Sequence, residues 1–70
     1  MKNVCIVGYG AIGPVHAKAL ASVEQARLYA VCDTDSHKRK RCREEYAVKE
    51  YNDFDEMLLD GNIQSVHICT

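Results

Sequence analysis

NVCIVGYGAIG, residues 3–13, decides how the rest of the chain is read. Its first five residues, NVCIV, are almost wholly apolar and do not alternate. Such a run predicts a strand buried on both faces, the pattern of a parallel sheet. GYGAIG follows at once, with glycines at Gly8, Gly10 and Gly13. Each glycine has its own physical task in a strand–loop–helix turn. Gly8 allows a tight bend off the strand, Gly10 lets a pyrophosphate approach the backbone, and Gly13 lets the helix pack closely on the sheet. A helix is expected over residues 12–23, with Ile12, Val15, Ala19, Leu20 and Val23 on one face and Pro14 in the first turn. Its start would offer unpaired N–H groups and partial positive charge to phosphates.

Working outward, RLYAVC (27–32) predicts a second buried strand, with Asp33 at its end. Asp33 follows Gly13 by 20 residues, a spacing at which a carboxylate can accept hydrogen bonds from adenosine ribose hydroxyls. A carboxylate there also repels a 2′-phosphate, which sets NAD ahead of NADP. Asp35 or Ser36 is expected to cap a helix running to about Tyr46. Lys38, Arg39, Lys40, Arg41 and Arg43 crowd that helix, leaving Cys42 and Tyr46 as its main apolar contacts. Glu44 and Glu45 can pair back to Lys40 and Arg41. The basic cluster therefore reads as a solvated helix face rather than a phosphate clamp.

VKEY (48–51) predicts a short edge strand, and Asn52 or Asp53 a cap for a third helix with Phe54, Met57 and Leu58 on one face. Gly61 is expected to end that helix in a left-handed conformation. SVHIC (65–69) predicts one more strand before Thr70. Strands alternating with helices give an α/β class: a partial Rossmann-type parallel sheet of three to four strands with three helices.

Composition narrows the field further. The chain has 70 residues, 9 Lys and Arg against 10 Asp and Glu, and a net charge of −1. That length allows one domain at most. The near-neutral balance argues against nucleic acid as a partner. No apolar run approaches the roughly 20 residues of a membrane span, and no secretory signal is evident, so a cytoplasmic protein is expected. Cys5, Cys32, Cys42 and Cys69 are expected as free thiols in a reducing compartment, three of them inside apolar runs. No spacing suits zinc, and the Asp33–His37 stretch, DTDSH, is not expected to converge on a metal. His16 is read as packing or helix polarity, His37 as the start of a solvated helix, and His67 as a strand residue with a satisfied ring. None of these side chains is assigned a catalytic role.

Three stretches carry a resemblance to a known family: VGYGAIGPVHAKAL (7–20), AVCDTDSHKRKRCREEYAV (30–48) and YNDFDEMLLDGNIQSVHICT (51–70). Together they make the chain similar to the start of the Gfo/Idh/MocA oxidoreductases. The resemblance implies a nicotinamide dinucleotide cofactor and a hydroxyl or carbonyl on a sugar, cyclitol or related small molecule as substrate. By matching position, Gly8, Tyr9, Gly10, Ala11, Ile12 and Gly13 would line the pyrophosphate, Asp33 and Thr34 would flank the adenosine ribose, and Cys69 and Thr70 would lie beside the cofactor. Arg39 and Arg43 depart from the family, which usually has small apolar residues there, and Gln64 stands where Asp is common. The family's catalytic Lys and its substrate domain lie outside the stretch it matches. Residues 1–70 are thus expected to be the N-terminal portion of a dinucleotide-binding domain that binds cofactor without turnover. A nonenzymatic nucleotide-sensing module is the alternative. An uncovered strand edge is expected to favour a homo-oligomer.

Overall fold

A computed structural model of the chain describes residues 1–69. The elements run β1 (Lys2–Val7), α1 (Gly13–Ala21), β2 (Ala26–Cys32), α2 (Ser36–Tyr46), β3 (Lys49–Tyr51), α3 (Phe54–Leu58) and β4 (Ser65–Ile68). The strands form one parallel sheet in the order β3-β2-β1-β4. This is the expected α/β architecture, with four strands and three helices.

β1 and β2 are apolar on both faces because both of their faces are covered. Val4, Ile6 and Val31 pack with Ala17 and Leu20 of α1 and with Cys42 of α2. Cys5, Ala30 and Cys32 pack on the other face against Met57 of α3. One irregularity breaks the alternation: Val4 pairs with Leu28 but Cys5 with Ala30, so Tyr29 is an extra residue. Such a bulge re-aims side chains. Tyr29 and Ala30 both join the α3 side of the core.

Tyr29 then reaches Asp60, whose carboxylate also accepts the Tyr51 hydroxyl and the Asn62 backbone N–H. Those bonds, led by the one from Tyr51, hold the Asp60 carboxyl below its ordinary pKa. The chain after α3 is therefore organised by Asp60 rather than by Gly61. Leu59, at φ −78°, closes the helix, and positive φ occurs among the described residues only at Gly8 and Ala47. The expected left-handed Gly61 is thus corrected. The left-handed cap lies instead at Ala47, after α2.

Two further expectations change. α1 buries Gly13, Ala17 and Leu20, while Ile12, Val15 and Val23 stay exposed, so the helix is rotated from the expected face and is shorter at both ends. Close packing at Gly13 sets that rotation: a Cβ there would stand 2.7 Å from the Gly8 carbonyl oxygen. In α3 only Met57 is buried, and Phe54 and Leu58 remain exposed. Gln64 accepts the Asn3 backbone N–H through Oε1 at 2.9 Å and so extends the contact of β1 with the turn before β4.

Candidate functional site

Register brings the candidate residues together. Val7 lies opposite Cys32 and Ile68, and Cys32 opposite Tyr51. The carboxyl ends of all four strands are thus level, and the next residues, Gly8, Asp33, Asn52 and Cys69, emerge along one edge of the sheet. Backbone bonds fix them there: Gly8 N–H to Cys32 O and Cys69 N–H to Val7 O at 2.8 Å, and Asp33 N–H to Tyr51 O at 3.0 Å. β1 lies where the strand order reverses, with β2 on one side and β4 on the other. In open α/β sheets ligands bind in the crevice at such a point.

The loop from Gly8 to Gly13 divides its glycines by task. Gly8 has φ 90°, a conformation that side chains resist. Gly13 is held against the Gly8 carbonyl and the Tyr9 ring. Gly10 has neither constraint: a Cβ there would meet nothing within 4 Å. The fold itself does not require glycine at that position.

Asp33 closes the loop from the next strand. One carboxylate oxygen accepts the Tyr9 backbone N–H at 2.8 Å, and the other accepts the Asp35 N–H at 2.9 Å. Its carbonyl oxygen accepts from the Arg39 guanidinium at 2.6 Å. Arg39 in turn meets Glu50 of β3 at 3.3 Å, and Arg43 meets the other oxygen of Glu50 at 2.5 Å. The two arginines that depart from the family pattern thus tie α2 to β3 through charge instead of apolar packing. Asp35 caps α2 by accepting the N–H groups of His37 and Lys38. These bonds, the one from His37 foremost, lower the pKa of its carboxyl.

Two clefts open along this edge. One, of about 380 Å³, is lined by Gly8, Gly10, Ala11, Ile12, Asp33, Lys38 and Cys69. The other, of about 210 Å³, is lined by Val7, Gly8, Cys32, Asp33, Thr34, Asn52 and Phe54. Asp33 and Gly8 belong to both. Of the candidate residues, Gly8, Gly10, Ala11, Ile12, Asp33, Thr34 and Cys69 thus share one region. Gly13 and Tyr9 support the loop from beneath and line neither cleft. Thr70 lies outside the described residues.

Tyr9 is a correction in kind: its side chain turns into the core, 1% exposed, and only its backbone belongs to the loop. Its hydroxyl is buried without a hydrogen-bond partner, and burial raises its pKa well above the ordinary tyrosine value. The thiols are buried and free. Burial pushes Cys5 up to about 12 and Cys42 up to about 11, so both stay protonated and unreactive at neutral pH. The His67 ring packs edge-on against His16, centroids 5.4 Å apart. Lys38, Asn52 and Phe54 also line the clefts, although they are expected as a solvated helix face, a helix cap and a core face. Lys38 was submerged in a basic run, and Phe54 in an expected core face.

Against known proteins, residues 2–70 match a family described as an oxidoreductase family with an NAD-binding Rossmann fold. Myo-inositol 2-dehydrogenase of Thermotoga maritima is 33% identical over 69 residues, 97% of this chain and 21% of that protein. The crystal structure of scyllo-inositol dehydrogenase from Lactobacillus casei, with bound NAD(H) and scyllo-inositol, superposes with a TM-score of 0.91 at 29% identity, over 100% of this chain and 21% of that one. GenD2 from gentamicin A biosynthesis, in complex with NAD, gives a TM-score of 0.91 at 28% identity, over 99% and 20%. The chain therefore spans about a fifth of the length of these relatives.

Proposed function

The chain belongs to the Gfo/Idh/MocA oxidoreductases, and from that premise we propose that residues 1–70 are the N-terminal, NAD-binding portion of a dehydrogenase acting on a CH–OH group of a cyclitol, sugar or related small molecule. The observation that carries this reading is the bond from the Tyr9 N–H to the Asp33 carboxylate. It sets a glycine-lined bend and a ribose-binding acid against the same cleft. The open space over Gly10 fits a diphosphate.

In this reading the backbone from Gly8 to Gly13 and the start of α1 cradle the diphosphate with N–H groups and partial positive charge. Asp33 accepts ribose hydroxyls with the lone pairs its two backbone bonds leave free. Thr34 flanks the sugar. Phe54 and Val7 give the smaller cleft an apolar wall suited to an adenine face. Cys69, which lines the larger cleft, is assigned a place beside the cofactor. When bound, NAD supplies the hydride-accepting ring. No residue here is assigned to the alcohol proton, so binding without turnover is the activity of this stretch.

The inositol dehydrogenase relatives support a polyol substrate. No helix among the described residues is long and apolar enough to cross a membrane. A cytoplasmic protein without membrane or nucleic-acid partners fits this, together with the net charge of −1. We infer self-association of this stretch through β4, which has one neighbour among the described strands and leaves Ile68 67% exposed.

Calorimetric titration with NAD tests the reading. The parent chain binds, Asp33→Ala weakens binding by about tenfold or more, as expected for lost hydrogen bonds to a charged group, and Gly10→Val abolishes it. Unchanged affinity in both variants would refute the assignment.

A further inference from the structure

Asp33 is held at more points than its carboxylate. Its N–H donates to the Tyr51 carbonyl at 3.0 Å, and its own carbonyl oxygen accepts from the Arg39 guanidinium at 2.6 Å. Arg39 is held in turn: its Nε meets one oxygen of Glu50 at 3.3 Å, and its side chain, 16% exposed, is spent within the chain. Arg43 pairs with the other oxygen of Glu50 and makes no hydrogen bond to Asp33 among the described residues. Glu50 lies opposite Val31 in the sheet, two residues before Asp33. The guanidinium of Arg39 thus spans from a carboxylate fixed in the sheet to the peptide group by which the chain leaves β2. A planar group with donors on two edges suits such a bridge.

We propose that Arg39 is a positioning residue: by holding the Asp33 carbonyl to Glu50, it fixes the direction in which the Asp33 carboxylate meets the adenosine ribose. This rests on the NAD-binding reading above and adds a residue that acts through Asp33 without touching the cofactor. The Asp33–Thr34 peptide lies between the Asp33 carboxylate and the Asp35 N–H that this carboxylate accepts. Arg39 holds that peptide by its oxygen, so the Asp35 N–H stays where the carboxylate can use it. Without the guanidinium the peptide is free to turn, and the carboxylate samples directions that miss the sugar. The lost order must then be restored on binding, which lowers affinity. The competing account is that the ion pairs only dock α2 on β3. Arg43 shares that duty through the same Glu50 carboxylate and does not reach Asp33, so it separates the two accounts.

The test titrates the parent, Arg39→Met, Arg43→Met and Glu50→Gln with NAD, each with Asp33 intact and with Asp33→Ala. Circular dichroism and urea midpoints follow the folding of every chain. Arg39→Met should lose about fivefold in affinity, the worth of one hydrogen bond to a charged group. That loss should vanish in the Asp33→Ala background, because two residues acting as one unit are not additive. Arg43→Met should stay within about twofold of the parent, whatever it does to the midpoint. Glu50→Gln keeps the shape and weakens the hold on Arg39, so it should lose less than Arg39→Met and nothing further beside Asp33→Ala. It carries the test if Arg39→Met does not fold. Parent-like binding by Arg39→Met, equal losses in Arg39→Met and Arg43→Met, or a loss that persists without the Asp33 carboxylate overturns the inference and leaves the NAD reading standing. A parent that does not bind NAD, or that is indifferent to Asp33→Ala, overturns the reading beneath it as well.

Discussion

Gly10 and Gly13 sit three residues apart in one loop, yet they are glycines for opposite reasons. At Gly13 the protein leaves no room: a Cβ would press on the Gly8 carbonyl at 2.7 Å and on the Tyr9 ring at 3.0 Å. At Gly10 the protein leaves open space, and nothing in the fold objects to a side chain. Stability can explain the first and not the second. A glycine that folding does not need points to something outside the chain that must come close.

The largest effect that would sharpen this contrast is at Gly13. Gly13→Val should cost about 3 kcal/mol or more, because the obstructing atom is backbone and cannot swing aside. Urea denaturation measures it, and a parent-like midpoint would erase the contrast. Gly10→Val is the counterpart: its midpoint should stay within about 0.5 kcal/mol of the parent while NAD binding disappears. If Gly10→Val unfolds the chain, the two glycines are alike after all.

A smaller effect is expected at Tyr9, whose ring fills the space beneath the loop. Tyr9→Phe keeps the ring and removes a buried hydroxyl that has no partner. Stability should hold or rise, by up to about 1 kcal/mol, since an unpaired buried polar group carries a desolvation cost. A clear loss would mean that the hydroxyl is bonded in solution.

The smallest expected effect is on acid. Asp35 and Asp60 have carboxyls held below their ordinary value of 3.8, chiefly by hydrogen bonds from the His37 N–H and the Tyr51 hydroxyl. A carboxyl with a depressed folded-state pKa stabilises the fold fully above its unfolded value, and that contribution is lost as pH falls through the folded one. Unfolding midpoints measured against pH should therefore stay level down to about pH 4 and drop below it. Asp35→Asn or Asp60→Asn should flatten that drop.

Much of this was readable from the residues. Continuous apolar runs marked the strands, because a sheet covered on both sides needs no alternation. Asp35 and Asp53 announced the starts of α2 and α3, because capping depends on local chemistry. What escaped the sequence was what depends on distant partners. The rotation of α1 follows from one close approach at Gly13, which spacing along a helix cannot reveal. Gly61 looked like a helix stop, but Asp60 organises that turn by collecting hydroxyls from β2 and β3. Arg39 and Arg43 of α2 read as solvated because their counter-charge, Glu50, lies on another element. Within the site, the glycines and Asp33 were legible as a pattern, whereas the second cleft, walled by Phe54 and Asn52, was not, because both residues come from the chain after β3.

The bond between Asp33 and the start of the loop has a consequence for how a ligand is met. One carboxylate pins the bend after β1 and, through the Asp35 N–H, the bend after β2. In the proposed reading, the gap between a sugar and its phosphates is thereby gauged before any guest arrives. The chain gives up that freedom as it folds, so on the proposed reading less ordering is left to weigh against capture of a dinucleotide.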